Sequence, residues 1–300
     1  MAGKKIKKND QVRQSRELSF HIACVNIVLQ PHSRKKYVDL FEAVYSSKLD
    51  SKVRGDDALM LGSFYRSESH KDAYVGEFYK FLKLDEAEDW FNTLSMDSAS
   101  KSDVKGIIIP SHLKPHFKKI PYVFFPDQHK LFFITQKSKL SLSPNMIVKF
   151  FENVSEREVL AGFGELKATV EPQLGSTKNL FSLPRISHLE LEIFKPNPDD
   201  HKNLDGEVLD RLKKMNAKKE VLQYFEAGSE GLKPDDKLKA LAKVAASNGE
   251  VNVKGRNLQG EIVFLSSKNF PMKVQASYNS EVQSEQSAMI EKAEEIRREM

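Results

Sequence analysis

Two carboxylate pairs are the side chains in this sequence best placed to do chemistry. Asp56 and Asp57 follow Arg54-Gly55, and Asp199 and Asp200 follow Pro198, with His201 next. Paired carboxylates in loops can hold Mg²⁺ for phosphodiester cleavage, and Glu171 is a candidate third ligand. The same residues have a plainer use. Asp after Gly or Pro caps turns and helix starts, and Asp199 and Asp200 precede a helical pattern whose N-terminus favours negative charge. The spacing fits no nuclease signature, so Asp56, Asp57, Asp199, Asp200 and His201 stand as candidates and no catalytic set is assigned.

Other chemistry is poorly represented. His112 and His116 have the i,i+4 spacing of a zinc pair on a helix, but Pro115 between them breaks a helix. Gly162-Phe163-Gly164 lacks the third glycine and the strand-to-helix frame of a phosphate loop. No Ser-His-Asp or Cys-His grouping sits in a nucleophile context. Cys24 is the only cysteine, which excludes an intrachain disulfide and a thiolate cluster. The sequence implies no metal and no cofactor.

Basic residues carry the stronger signal. The formal net charge is +5, yet residues 1–16 hold Lys4, Lys5, Lys7, Lys8, Arg13 and Arg16 against Asp10 alone, and residues 101–139 hold eight lysines. Such blocks attract polyanions, nucleic acid being the commonest, while a solvated lysine face explains them equally well. The candidate contacts are Lys114, Lys118 and Lys119, then Arg211, Lys213, Lys214, Lys218 and Lys219, then Lys254 and Arg256. Phe78, Tyr79, Phe81, Phe124, Phe125, Phe132 and Phe133 could stack on bases, but aromatics on strands are far more often core.

These residues need elements to position them. Ile120–Thr135 reads as a hairpin: two apolar runs around Pro126-Asp127, so continuous that both faces must be covered. Ser143-Pro144 opens a helix bearing Met146, Ile147, Phe150, Phe151 and Val154. Ahead of it lie a strand over Leu18–Leu29, a helix capped by Ser33, and strands over Val53–Tyr65 and Tyr74–Leu84. A short strand is expected at Gly106–Pro110. Strands at Leu166–Glu171 and His188–Phe194 flank a short helix at Thr177–Leu183. After Pro196 the pattern turns helical over Leu204–Met215, Lys218–Ala227 and Leu238–Ser247, and a second hairpin covers Glu250–Leu265. Ser277–Ser287 reads as a linker to a final helix.

The division that follows is a basic disordered tail (1–16), an α+β unit (17–197), a helix-and-hairpin dimerisation unit (198–276), and a linker with terminal helix (277–300). The expected class is α+β, a ferredoxin-like antiparallel sheet with helices plus the C-terminal helix-and-hairpin unit. The apolar stretch Ile22–Leu29 is too short to span a bilayer, and no small-residue cleavage site follows the early lysines, so a cytoplasmic protein is expected, without direct membrane insertion. A lone hairpin is marginal in water, and a second copy of the chain is expected to cover it.

The order Asn26-Ile-Val, Pro31-His-Ser33, Arg54-Gly-Asp56, Tyr122-Val-Phe-Phe-Pro126, Leu142-Ser-Pro144, Val170-Glu-Pro172 and Lys195-Pro-Asn-Pro-Asp-Asp200 resembles a bacterial family of unassigned function. Asn-Pro-Asp-Asp is its most distinctive piece. The half after Leu131 is more remotely similar to RexA, the cytosolic half of the lambda phage-exclusion pair. That resemblance implies an RdgC-like fold and a homodimer that binds duplex DNA with little sequence preference, DNA rather than RNA, in defence against phage. Any membrane step would need a membrane-protein partner encoded nearby, whereas an antitoxin-like neighbour would support a toxin instead. A metal-dependent nuclease toxin using the Asp pairs and a protein-interaction module remain the alternatives.

Overall fold

The structure, a computed structural model, describes residues 17–84, 89–107, 109–197 and 204–300. The first strand, β1 (Glu17–Gln30), is buried continuously from Ile22 to Leu29, because its side chains meet covered layers on both faces. Helix α1 (Arg34–Ser46) follows, with the Ser33 hydroxyl accepting from the Lys36 N–H at 3.2 Å. A hairpin, β2 (Asp50–Arg54) and β3 (Asp57–Leu61), turns at Gly55, whose φ of +51° suits glycine. Then come β4 (Tyr65–Arg66), β5 (Tyr74–Leu82) and a small exposed excursion of β6 (Phe91–Asn92), β7 (Asp97–Ser98) and α2 (Lys101–Val104). The hairpin read from Ile120–Thr135 is β8 (Lys118–Phe125) and β9 (Lys130–Lys137), followed by β10 (Leu140–Ser141) and α3 (Pro144–Ser155).

The remainder runs β11 (Glu165–Val170), α4 (Ser176–Leu180), β12 (Arg185–Phe194), α5 (Leu204–Lys214), β13 (Lys219–Phe225), α6 (Asp236–Asn248), β14 (Gly249–Arg256), β15 (Ile262–Ser266), β16 (Val274–Asn279) and α7 (Glu285–Glu299). The fold is α+β with antiparallel sheets. The larger sheet has the order β11-β1-β9-β8-β5-β3-β2, with β16 also on β1; the smaller has the order β13-β12-β14-β15.

Burial follows from that layering. One face of the larger sheet packs Val25, Ile27, Tyr122, Phe124 and Phe133 against α1 and α3 through Leu40, Phe41, Phe150 and Phe151. The other packs Ile22, Val123, Phe125, Phe132 and Ile134 against α7 through Met289, Ile290, Ala293 and Ile296. The seven strand aromatics considered as base platforms lie in this layer: six are Phe residues at 6% exposure or less, and only Tyr79 is partly open.

A buried polar knot ties β1 to α1 and to the chain leaving β12. The Tyr37 hydroxyl donates to Asn197 Oδ1 at 3.0 Å and accepts from the Leu29 N–H at 3.0 Å, while Asn197 Nδ2 donates to the Ile27 carbonyl at 3.2 Å. Asn197 opens the Asn-Pro-Asp-Asp stretch, so its first residue acts as a structural anchor. His129 sits against this knot with ring centroids 4.4 Å from His32 and 4.9 Å from Tyr37.

Five expectations change. The helix expected over Lys218–Ala227 is strand β13, since Leu222 and Tyr224 turn inward and Val221, Gln223 and Phe225 outward, a period of two carried by β-formers. The strand expected to close the first unit, β12, is instead an inner strand of the smaller sheet, so the boundary near Pro198 falls beside that sheet's own strand. The serine-rich linker begins as β16, pairing Glu17–Ile22 with Val274–Asn279. No strand forms at Gly106–Pro110 among the described residues. The second hairpin is also not alone: β12 and β13 extend it to four strands, and α5 and α6 cover one face, which removes the premise that a second copy must do so.

Candidate nucleic-acid interface

Around His188 and Lys254, the smaller sheet is covered on one side only among the described residues. Leu189, Leu191, Ile193, Val251 and Val253 pack with Val208 and Leu212 of α5 and with Ala242 and Ala245 of α6. Alternation along β12 and β14 therefore sends His188, Glu190, Asn252 and Lys254 to the opposite, open face, while Glu192 on the same side faces a cleft shared with Glu152 and Lys167. Register aligns four of the outward residues in one row across the sheet: Phe225, His188, Lys254, Phe264. The His188 ring stacks on Phe225 with centroids 4.4 Å apart and planes 9° from parallel. Lys254 Nζ lies 5.3 Å from the Phe264 ring centroid. Phe225 is 66% exposed and Phe264 68%, unusual openness for two phenylalanines on one sheet face.

Rows on either side frame this one. Toward the hairpin tip, Arg185, Arg256 and Ile262 are in register, and Arg185 holds Glu226 through two bonds of 2.8 and 2.7 Å. That pairing keeps the Glu226 carboxyl below the usual range. Away from the tip, Gln223 and Asn252 both donate to Glu190, and those bonds hold its carboxyl low as well. A shallow cleft of about 190 Å³ opens between His188, Asn252, Lys254 and Phe264. Close strand approach fixes the geometry: a Cβ on Gly255 would lie 2.3 Å from the Arg185 carbonyl. Phe225 and Phe264 are three strand spacings apart, about 14 Å. Exposed rings can take base faces and the neighbouring cations can take phosphates, a combination indifferent to base identity.

A family model described as a domain of unknown function, DUF4747, matches residues 18–294, a span that takes in both sheets. The chain belongs to the DUF4747 family. No curated protein matches it.

In this DUF4747 chain the sequence-predicted cations fall into separate places. Lys254 and Arg256 are on the open face. The Arg211–Lys219 block is at the other end of the smaller sheet: Lys219 pairs with Phe194 in register, six residues along β12 from His188, about 20 Å away. Arg211, Lys213 and Lys214 belong to α5, on the covered side. Much of that block is also committed. Arg211 holds Glu220 through two bonds of 2.8 and 2.5 Å, Lys219 pairs with Glu192 at 3.0 Å, and Lys218 lies 3.8 Å from Glu165. Lys118 donates to the Lys139 carbonyl at 2.9 Å, and Lys119 pairs with Glu77 at 3.4 Å; these two and Lys114 border the larger sheet.

The carboxylate candidates do not assemble. Asp56 pairs with Lys52 at 2.9 Å, and Asp57 with Lys80 at 3.0 Å and Arg54 at 3.6 Å, so both serve the β2–β3 turn. Glu171, which follows β11, is instead engaged by Lys130 at 3.0 Å and by Ser247 at 2.9 Å, and does not join them as a third ligand. Asp199, Asp200 and His201 lie outside the described residues. Among the described residues no three His, Cys, Asp or Glu side chains gather as a metal would require. Nor is any helix there long and apolar enough to cross a membrane.

Sequence reasoning missed His188, Phe225 and Phe264. Phe225 lay in a segment read as helix. Phe264 was read as apolar surface for a second copy of the chain to cover, because both parities of Ile262–Leu265 are apolar and the outward face is hidden. The available signal was in β14, where Asn252, Lys254 and Arg256 alternate with Val251 and Val253 and mark a polar side.

Proposed function

We propose that this DUF4747 chain binds nucleic acid without reading its sequence, through the open face of the smaller sheet. Phe225, backed by the His188 ring, and Phe264 take unpaired bases, and Lys254 and Arg256 take phosphates. The observation that carries this reading is the four-residue row with two phenylalanine rings about two-thirds exposed beside two cations. Base-on-ring stacking contributes about 1–3 kcal/mol per base and requires bases free of a duplex. The face therefore favours a single strand over the duplex that the sequence resemblance implies.

Fluorescence anisotropy with a labelled oligonucleotide, alone and annealed to its complement, tests this. Two phosphate contacts give a slope of log affinity against log salt of about −1.4 for a single strand. Phe225→Ala with Phe264→Ala should weaken binding by about tenfold or more at unchanged salt slope. Equal affinity for duplex and single strand, untouched by the double substitution, would sink the proposal.

The resemblance to RexA supports a setting for this activity: a cytoplasmic component of phage defence, working as a homodimer with a membrane protein encoded nearby. Ile262 and Phe264, both exposed on the edge strand β15, favour a second reading in which two copies join edge to edge. Light scattering at micromolar concentration tests that joint, since a strictly monomeric mass excludes it.

A further inference from the structure

A cleft of about 550 Å³ opens on the helix-covered side, where the larger sheet, α4, α6 and α7 meet, away from the open sheet face. Its floor is charged and buried. Lys130 Nζ lies 3.0 Å from Glu171 Oε2, with both side chains 7% exposed. Ser247, in the last turn of α6, donates its hydroxyl to Glu171 Oε1 at 2.9 Å. The Ser247 carbonyl accepts from Thr169 Oγ1 at 2.5 Å and from Asn26 Nδ2 at 3.3 Å, which fixes the end of α6 against β1 and β11.

A buried ion pair costs desolvation that an apolar pair of equal volume avoids, so its presence is no argument for stability. Its position, at the base of a cleft between structural units with convergent polar groups, is that of a ligand site. The lining carries Lys130, Lys178, Lys243 and Arg297 against Glu171 and Glu299. Glu171 neutralises Lys130, and Arg297 is committed to Asp72 at 2.9 Å and Glu294 at 3.0 Å. Lys178 and Lys243 are exposed at the mouth and make no ion pair among the described residues. Lys243 is one helical turn before Ser247, so both present to the same side of α6. Leu174 adds an apolar wall. Two uncommitted ammonium groups suit a doubly charged head better than a carboxylate, and low-dielectric walls focus their field into the cleft.

We propose that this cleft binds a small phosphorylated molecule, its phosphate drawn by Lys178 and Lys243 and its remainder seated over the Lys130–Glu171–Ser247 floor. The site is separate from the sheet face and does not depend on nucleic-acid binding there. Calorimetry and thermal melting of the full chain with inorganic phosphate, pyrophosphate, AMP and ATP test it, with sodium chloride at matched ionic strength as the control. Saturable binding of at least one phosphate compound, without a chloride effect, is the expected result. Lys178→Glu with Lys243→Glu changes only exposed residues and should weaken that binding by about tenfold or more, with oligonucleotide affinity unchanged. No saturable binding by any of the four, or equal affinity in the variant, overturns the proposal. Loss of oligonucleotide binding in the variant also overturns it, because the lysines would then serve nucleic acid.

Discussion

Acidification should destabilise this protein through one histidine. His129 is fully buried, and its pKa is lowered from an ordinary 6.5 to about 2, first by burial, then by the nearby charges of His32 and Lys130, with a backbone bond at Pro126 opposing. The folded chain thus keeps the ring neutral while the unfolded chain protonates it near pH 6.5. Between those two values the unfolded state binds the extra proton, so stability falls as pH drops through 6.5 and below. From pH 7 to pH 5 this one group removes about 2 kcal/mol, a substantial part of the 5–15 kcal/mol typical of a folded domain. The control is His129→Gln, which cannot titrate. Gln loses ring contacts with His32 and Tyr37, so the variant should be less stable at pH 7, yet it should lose about 2 kcal/mol less than the parent between pH 7 and pH 5. Guanidinium unfolding followed by far-ultraviolet circular dichroism at pH 7, 6 and 5 gives both slopes. Carboxylates elsewhere contribute equally to parent and variant. Parallel slopes would refute the reasoning.

Two other outcomes follow from geometry. Gly76→Ala places a Cβ 2.0 Å from the Ser63 carbonyl and 2.7 Å from the Tyr122 hydroxyl, which must force β5 and β8 to shift; thermal melting should show a loss of about 1–3 kcal/mol or more, whereas Gly228→Ala, with nothing within 4 Å, should be near neutral. Lys213→Glu with Lys214→Glu should leave oligonucleotide affinity within about twofold in anisotropy, because both lysines sit on α5 behind the smaller sheet; a tenfold loss would move the interface to that side.

Legibility in the sequence tracked the strength of local signals. The hairpin around Pro126-Asp127, the Ser33 cap and the apolar stripe of α3 are each encoded within a dozen residues, and each formed where the pattern put it. What the sequence hid was long-range. Nothing local to Val274–Asn279 says that it pairs with Glu17–Ile22, and serines at 277 and 280 read as linker when taken alone. The open face was hidden in the same way. Lys254 and Arg256 were legible as basic residues, but their platform needs Phe225 and His188 from strands about 30 to 70 residues earlier. The division of the cations into three separated places is likewise a property of register and layer, which charge counts do not contain.

The pairing of β1 with β16 bears on how the chain is made. Every residue of the smaller sheet, from Arg185 to Ser266, is synthesised between these two partners. The smaller sheet is therefore an insertion, complete and able to close on its own helices while the larger one still lacks an edge and α7. Until α7 leaves the ribosome, the face bearing Phe125, Phe132 and Ile134 is bare, and a nascent chain in that state is prone to aggregate. Stopping translation shortly after Ser266 would thus yield a finished smaller sheet attached to an unfinished larger one. Emergence of residues 267–300, which carry β16 and α7, sets when the molecule becomes safe from its own core.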